Sequence, residues 1–366
     1  MKKHKKSIKK QSYKTKGKKG LFDNQFATEQ LSEIGNPLER MSSVIDFEVF
    51  RNLLEDKLLN KGKKSNAGAK PYDVVMMFKI MTLQRYYGLG DTQMEYQIID
   101  RTSFKNFLGL ESGDKVPDEK TIWAFREMLI KTECTEALFV HFLNILEEKG
   151  LILNEGKLID ASFTIAPRQR NTREENDKIK KGEGDELWND QPNKKSHKDI
   201  DARWTKKNNE TFYGYKNHVK VDTKTKFIDN YVVTDASVHD SQVLNDLLEH
   251  NDKGQTLHAD SAYTGENPQN IIRGFKMKNK VHEKGYKGRP LTAVQKKRNN
   301  KKSTLRARVE HIFGFMEQSM NGLKLKCIGF DRAFGTISLI NLTYNLFRYE
   351  QTVRLALFPI KTCNAI

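Results

Sequence analysis

Three acidic residues in apolar surroundings carry the most chemical potential in this chain. Leu158-Ile159-Asp160-Ala161-Ser162 ends a short apolar run in an aspartate, and Leu257-His258-Ala259-Asp260 does the same. Arg306-Ala307-Arg308-Val309-Glu310-His311 sets a glutamate inside a strongly helical stretch. A carboxylate at the end of an apolar strand is costly to bury alone, so it calls for a partner, a metal or water. Carboxylates from two strands and a helix would suit hard divalent cations, Mg2+ with Mn2+ as a substitute, which prefer carboxylate oxygen and keep water or phosphate oxygens as further ligands. Two such ions can activate an oxygen nucleophile and neutralise a departing alkoxide, which is what phosphodiester cleavage requires. In that arrangement Asp160 would bridge the two ions, with Asp260 on one and Glu310 on the other. His258 lies two residues before Asp260 and so shares its strand face. Each aspartate alone is weak evidence, because Asp at a strand end commonly forms a turn or a helix cap. Asp235 and Asp240 compete for the same role. His218 and His239 read as structural or DNA-facing, since hard-metal chemistry has little need of imidazole.

The placement of charge points to the substrate. The net charge is +17, and residues 1–20 contribute ten Lys and no acid. Residues 266–308 hold fourteen Lys or Arg against Glu266 and Glu283, which leaves the rest of the chain slightly acidic. Clustered positive charge beside candidate catalytic carboxylates suggests a polyanion. Lys296, Lys297, Arg298, Lys301, Lys302, Arg306 and Arg308 are the candidate DNA-binding residues of that second cluster. Arg306 stands four residues before Glu310, on the same helix face, as an ion-pair partner or a phosphate contact.

The elements that must position these groups follow from periodicity and punctuation. Residues 1–20 read as a disordered basic arm able to hold phosphates without reading sequence. A helix is expected from Asp46, and Gly62 to Gly68 is a polar break. Pro71 and Asp73 start a helix that ends at Gly88-Leu89-Gly90, after which Asp91 or Thr92 can cap the next one. Pro117-Asp118 starts another, and Thr135 to Lys149 a further one. Helices joined by short Gly turns suit a helix-turn-helix-like DNA reader, and from pattern alone they suit any small helical bundle rather better. Residues 163–210 read as a long polar excursion or partly disordered loop, with Trp188 and Trp204 as anchors. Strands then return over 213–221 and 227–233, a helix over 240–248, a strand into Asp260, and a helix end with another strand over 271–281. A basic loop follows, then helices over 304–320 and 333–347.

The length of 366 residues suits two domains. No run is long and apolar enough for a membrane span, and the basic N-terminus lacks the apolar core of a secretory signal. Cys134, Cys327 and Cys363 lack zinc spacing, so a reducing, cytoplasmic setting is expected.

Several segments together resemble one family, the DDE transposases of bacterial insertion sequences, specifically the insertion-sequence-five group. Tyr86-Tyr87-Gly88-Leu89, Phe107-Leu108-Gly109-Leu110 and Val116-Pro117-Asp118 look like its N-terminal domain. Leu158 to Ser162 is similar to the first acidic motif, Asp260-Ser261-Ala262-Tyr263 to the second, and Arg306 with Arg308-Val309-Glu310-His311-Ile312-Phe313-Gly314 to the third. Asp201-Ala202-Arg203-Trp204, Phe212 to His218 and Thr234 to Ser241 also resemble segments typical of the group. The resemblance implies an α/β fold: an RNase H-like mixed-sheet catalytic core over 151–350, preceded by an all-α, helix-turn-helix-like DNA-binding domain over 21–150 and followed by a tail over 351–366. It implies that Asp160, Asp260 and Glu310 are the catalytic, metal-binding triad, with two Mg2+ ions per site. DNA ends and target DNA would be the partners, bound by a homodimer or higher assembly near the nucleoid. The chain departs from the wider signature at Ser303, where a Tyr is usual, and at Glu317, where a basic residue is usual. Two other readings stay open: a metal-dependent nuclease without strand transfer, and a non-catalytic DNA-binding regulator.

Overall fold

Helix caps and apolar spacing shape the first half of the chain. The computed structural model describes residues 14, 20, 22–59, 70–111, 113–207, 209–320 and 323–361. The expected polar break at 62–68 and all but Lys14 and Gly20 of the expected basic arm lie outside the described residues. Among the described residues eight α-helices come first: α1 (Asp23–Ile34), α2 (Pro37–Val44), α3 (Arg51–Leu58), α4 (Val74–Tyr86), α5 (Asp91–Asp100), α6 (Thr102–Leu108), α7 (Glu119–Lys131) and α8 (Cys134–Glu148). Asp73 and Asp118 start α4 and α7 by accepting from the backbone N–H groups of Val75, Met76 and Thr121. The expected cap at Asp91 or Thr92 is not formed. Gly90 takes the N-cap position, and the Asp91 carboxylate instead accepts from Arg126 Nη1 at 2.5 Å and Nη2 at 2.8 Å. A two-pronged guanidinium bond in a half-buried setting outweighs a single capping bond.

Among the described residues the second half builds one six-stranded sheet. In chain order the elements are β1 (Gly156–Ile165), α9 (Arg173–Lys180), α10 (Pro192–Lys195), β2 (Arg203–Lys207), β3 (Glu210–Asp222), β4 (Ile228–Asp235), α11 (Leu244–Leu247), β5 (Thr256–Ala259), α12 (Glu266–Gly274), β6 (Lys278–Asn279), α13 (Ala293–Gly314) and α14 (Phe330–Arg354). β1 pairs antiparallel with β3, and β3 antiparallel with β4; on its other edge β1 pairs parallel with β5, and β5 parallel with β6. β2 adds to the first residues of β3. The sheet is therefore mixed, and it carries helices on both faces.

Alternation decides what each face meets. Leu158, Val219 and Val221 join a core that also takes in Phe50, Phe78, Leu138, Leu342 and Leu346, so one sheet face and the helical block share a single apolar cluster. Ile159, Leu257 and Ala259 point the other way, into a smaller cluster with Leu244, Leu247 and Ile272. α14 is the wall between block and sheet: it packs on α2, α4, α7, α8 and β4. Its polar residues are spent on the sheet. Asn341 and Asn217 exchange side-chain bonds of 2.7 and 3.2 Å, and Asn345 accepts from Ile228 N–H at 3.0 Å while donating to its carbonyl at 2.8 Å.

Two expected loops are ordered elements instead. The excursion at 163–210 begins with the end of β1 and contains α9, α10 and β2. Its anchors are polar: buried Trp188 donates from Nε1 to Glu175 at 2.7 Å, and buried Asp199 accepts from the Tyr215 hydroxyl at 2.8 Å and from Gly329 N–H at 3.1 Å. Such bonds leave no hydrophobic periodicity to read. Trp204 is 42% exposed and anchors nothing by burial. Of the basic loop expected before residue 304, the part from Ala293 on is the first half of α13, which starts under a Thr292–Gln295 capping box, while 282–292 is irregular as expected. No helix of the described residues is long and apolar enough to cross a membrane.

Candidate active site

Register brings two of the three acids together. In the parallel β1–β5 pair, Leu158 stands beside His258 and Ile159 beside Ala259, so Asp160 and Asp260 lie side by side where the strands leave the ladder. Period-two alternation puts both on the same sheet face as Leu158, opposite to Ile159. α13 packs across that face against β1 and β5, with Val309 and Ile312 buried in the shared core.

Each carboxylate is held differently. Asp160 is half-buried and its Oδ1 accepts from Ala161 N–H at 2.9 Å. Burial pushes its pKa up to about 6; the Ala161 bond opposes this, the negative charge of Asp260 adds to it, and Arg306 and Lys207 offset part of it. Asp260 caps a 3-10 turn, accepting from Ala262 N–H at 2.7 Å. Glu310 is exposed and accepts from Arg306 Nη2 at 2.7 Å. Arg306 also feels the charges of Asp160 and Asp260, so one guanidinium stands in the field of all three acids.

The donor set fits the cations it would hold only in part. Asp160 and Asp260 offer hard oxygens close enough to repel each other, and a cation relieves that repulsion. Glu310, with Oε1 engaged by Arg306, does not complete a cluster: among the described residues no group of three or more His, Cys, Asp or Glu side chains is arranged around a metal position. The aspartate pair fits a divalent cation, and Glu310 joins it only by leaving Arg306.

The basic residues divide into free and engaged. Lys296, Lys297, Arg298 and Lys301 are exposed on α13. Arg298 lies 3.5 Å from Glu283, and Lys302 donates to the Val281 carbonyl at 2.7 Å. Arg308 turns away to donate to the Thr223 carbonyl. A cavity of about 790 Å³ is lined by Tyr263, Arg273, His282, Lys284 and Lys302 among others. His258 is buried with its pKa lowered by burial and by the cations around it. The competing acids are occupied elsewhere: Asp240 pairs with Lys216 at 2.8 Å, and Asp235 accepts from Ser237. His218 is buried against Thr234 at 2.9 Å, with burial pushing its pKa down to about 4, and His239 caps the turn at Asp240.

Two neighbours escaped the sequence reading. Tyr263 is fully buried, its hydroxyl has no hydrogen-bond partner among the described residues, and its pKa is raised by burial and then by Asp240, Asp160 and Asp260. Lys207 lies near enough to Asp160 to offset its charge. The sequence signals were Tyr263's three-residue offset from Asp260 and the basic end of β2, neither of which stands out without the fold.

Comparison with known families agrees with this layout. Residues 155–346 match the family described as Transposase DDE domain, and residues 26–128 match that described as Transposase domain (DUF772). The first match runs from β1 through most of α14, and the second covers most of the helical block. No solved structure matches the chain. With more than half of its length in the first match, the chain belongs to the DDE transposases of insertion elements.

Proposed function

We propose that this transposase binds the inverted-repeat ends of an insertion sequence of the insertion-sequence-five group, cuts the phosphodiester bond there, and joins the freed 3′-hydroxyl to target DNA. The carrying observation is the side-by-side position of Asp160 and Asp260 on adjacent parallel strands, on the sheet face that α13 crosses with Glu310. The order β4-β3-β1-β5-β6, antiparallel through β1 and parallel beyond it, supports an RNase H-like core.

In this reading Asp160, Asp260 and Glu310 are the catalytic carboxylates and hold two Mg2+ ions, with Mn2+ able to substitute. The bound cations would supply activation of water or hydroxyl and neutralisation of the leaving oxygen. The protein's own residues do the rest. Asp160 must be ionised to act as a ligand, and Arg306 helps by lowering the cost of that charge. With Glu310 as a cation ligand, Arg306 would be free to hold a phosphate oxygen. Lys296, Lys297, Arg298, Lys301 and Lys302 line the strand's approach, while Arg308 braces α13 against the β3–β4 turn. The helical residues 21–150 read end sequence, residues 151–350 carry the chemistry, and paired ends call for a dimer or higher assembly in the bacterial cytoplasm.

The test uses the full chain and DNA bearing the element's inverted repeats. Wild type cuts it only with Mg2+ or Mn2+ and joins pre-cut ends to a target. Asp160→Asn, Asp260→Asn and Glu310→Gln each abolish cutting and retain end binding. Normal strand transfer by any one of them refutes the triad; hydrolysis by wild type without joined product leaves a nuclease.

A further inference from the structure

We infer that a cavity shared by α2, α4, α13 and α14 receives an unpaired nucleotide of the DNA strand, its phosphate among Arg40, Lys226, Arg348 and Arg354 and its base against the Tyr86–Phe347 wall. The inference rests on the reading that DNA is cut at Asp160, Asp260 and Glu310.

The cavity measures about 360 Å³, within the range of small-molecule sites of roughly 300–1,000 Å³. Its charge is unbalanced. Among the described residues, four Lys or Arg side chains line it against one carboxylate, Glu350, which is shared by Arg354 Nε at 2.6 Å and Arg40 Nε at 3.6 Å. Lys226 and Arg348 make no ion pair among the described residues; Arg348 is held instead by the Thr225 carbonyl at 2.7 Å and by Gln351. Burial, then the nearby charges of Arg348 and Arg308, hold the Lys226 ammonium below its usual pKa, as expected where cations crowd without a counter-ion. Such crowding is relieved by an anion.

The other wall is aromatic. Tyr86 and Phe347 stack with centroids 3.8 Å apart and planes 15° apart, and Phe315 packs against Phe347 at 6.2 Å. A bare phosphate has no use for such a surface, whereas a nucleotide pairs a charged group with a flat ring that stacks on aromatics whatever its sequence. Position supplies the link to DNA. His311, Ile312 and Phe315 line the cavity, and His311 directly follows Glu310, so the cavity and the candidate active site share one turn of α13. A strand running from the carboxylates toward His311 would reach the cavity, where an unpaired base has a place to go.

The test is photocrosslinking of the full-length chain, carrying Asp160→Asn and without divalent cation, to a duplex end with an unpaired tail containing 5-bromodeoxyuridine. Mass spectrometry should find adducts at Tyr86, Phe315 or Phe347, and at least tenfold fewer with a fully paired duplex. Lys226→Gln and Arg348→Gln should each cut the yield about tenfold. Glu350→Gln, which removes the acid that lines the cavity, should raise it, a direction that a merely unfolded variant does not give. Excess dAMP should compete and equimolar inorganic phosphate should not. Adducts confined to residues 1–20 and 266–308, equal adducts with paired DNA, or a fall with Glu350→Gln would overturn the inference. Because no cutting is required, absence of these adducts alongside cation-dependent cleavage by wild type sinks the pocket alone, and adducts without cleavage sink the catalytic reading alone.

Discussion

Asp160 is the residue on which the proposed catalysis and stability pull in opposite directions. Its carboxyl pKa is raised from 3.8 to about 6, first by burial and then by Asp260, so the folded chain keeps a proton that the unfolded chain releases between those values. Stability from this group therefore falls as pH climbs from about 4 through 6 and stays low above that. Asp160→Asn removes the buried charge and keeps an oxygen for the Ala161 N–H bond. It should stabilise the cation-free protein at neutral pH by on the order of 1–3 kcal/mol in urea unfolding; a loss of stability would contradict the assigned burial. The same shift sets a pH limit on activity. With Asp160 as the proposed ligand, protons and cations would compete for it, so the acid limb of the cleavage rate should lie near pH 6 and move to lower pH as Mg2+ is raised. A limb indifferent to Mg2+ would remove Asp160 from the ligands. His218, whose pKa is lowered to about 4 by burial, loses stability in the fold as pH drops from about 6.5 toward 4, so circular dichroism must accompany the rate profile.

At the scale of elements, the site depends on the registers of β1 with β3 and β5. Gly214 on β3 has φ 145°, and an added Cβ would lie 2.3 Å from the Thr164 carbonyl oxygen and 2.6 Å from Ala166 N. Gly214→Ala should cost about 3 kcal/mol or more, combining backbone strain with a clash against β1; little change on unfolding would count against this register. The Asn217–Asn341 pair is a second check. Asn341→Leu leaves a buried amide without its partner and should cost about 1–3 kcal/mol. These elements also show what the sequence could convey. The strands ending in Asp160 and Asp260 are legible because short apolar runs stop at an acid. Their register, which sets the acids side by side, is a pairing of segments 100 positions apart and leaves no local trace. α13 is legible only where Val309 and Ile312 reach the core; its first half is held by a cap and water-facing lysines, so it reads as loop. The 163–210 segment is held by Trp188–Glu175 and Asp199–Tyr215 bonds, which have no period. α14 is buried on nearly every side and so shows an apolar run with ends shorter than the helix itself.

At the scale of the molecule, one apolar cluster reaches from Leu38 to Tyr349, joining the helical block to the sheet through α14. Urea should therefore unfold residues 22–361 in one cooperative transition, followed by fluorescence and by circular dichroism together; two separated transitions would mean that the block is a module of its own. Charge acts at the same scale. Residues 1–20 carry ten Lys, and removing them should weaken non-specific DNA binding and flatten its salt dependence, by up to ~0.9 in log–log slope for each phosphate that the arm neutralises. An unchanged slope would leave DNA holding to the α13 face alone. The central claim is that Asp160, Asp260 and Glu310 gather around cations where a strand is cut, and it is tested most directly by anomalous scattering from Mn2+ in crystals of the full chain bound to inverted-repeat DNA. The expected map has manganese within coordination distance of all three carboxylates, with Glu310 turned away from Arg306. Manganese on the aspartates while Glu310 remains paired with Arg306, or manganese bound elsewhere, would contradict it.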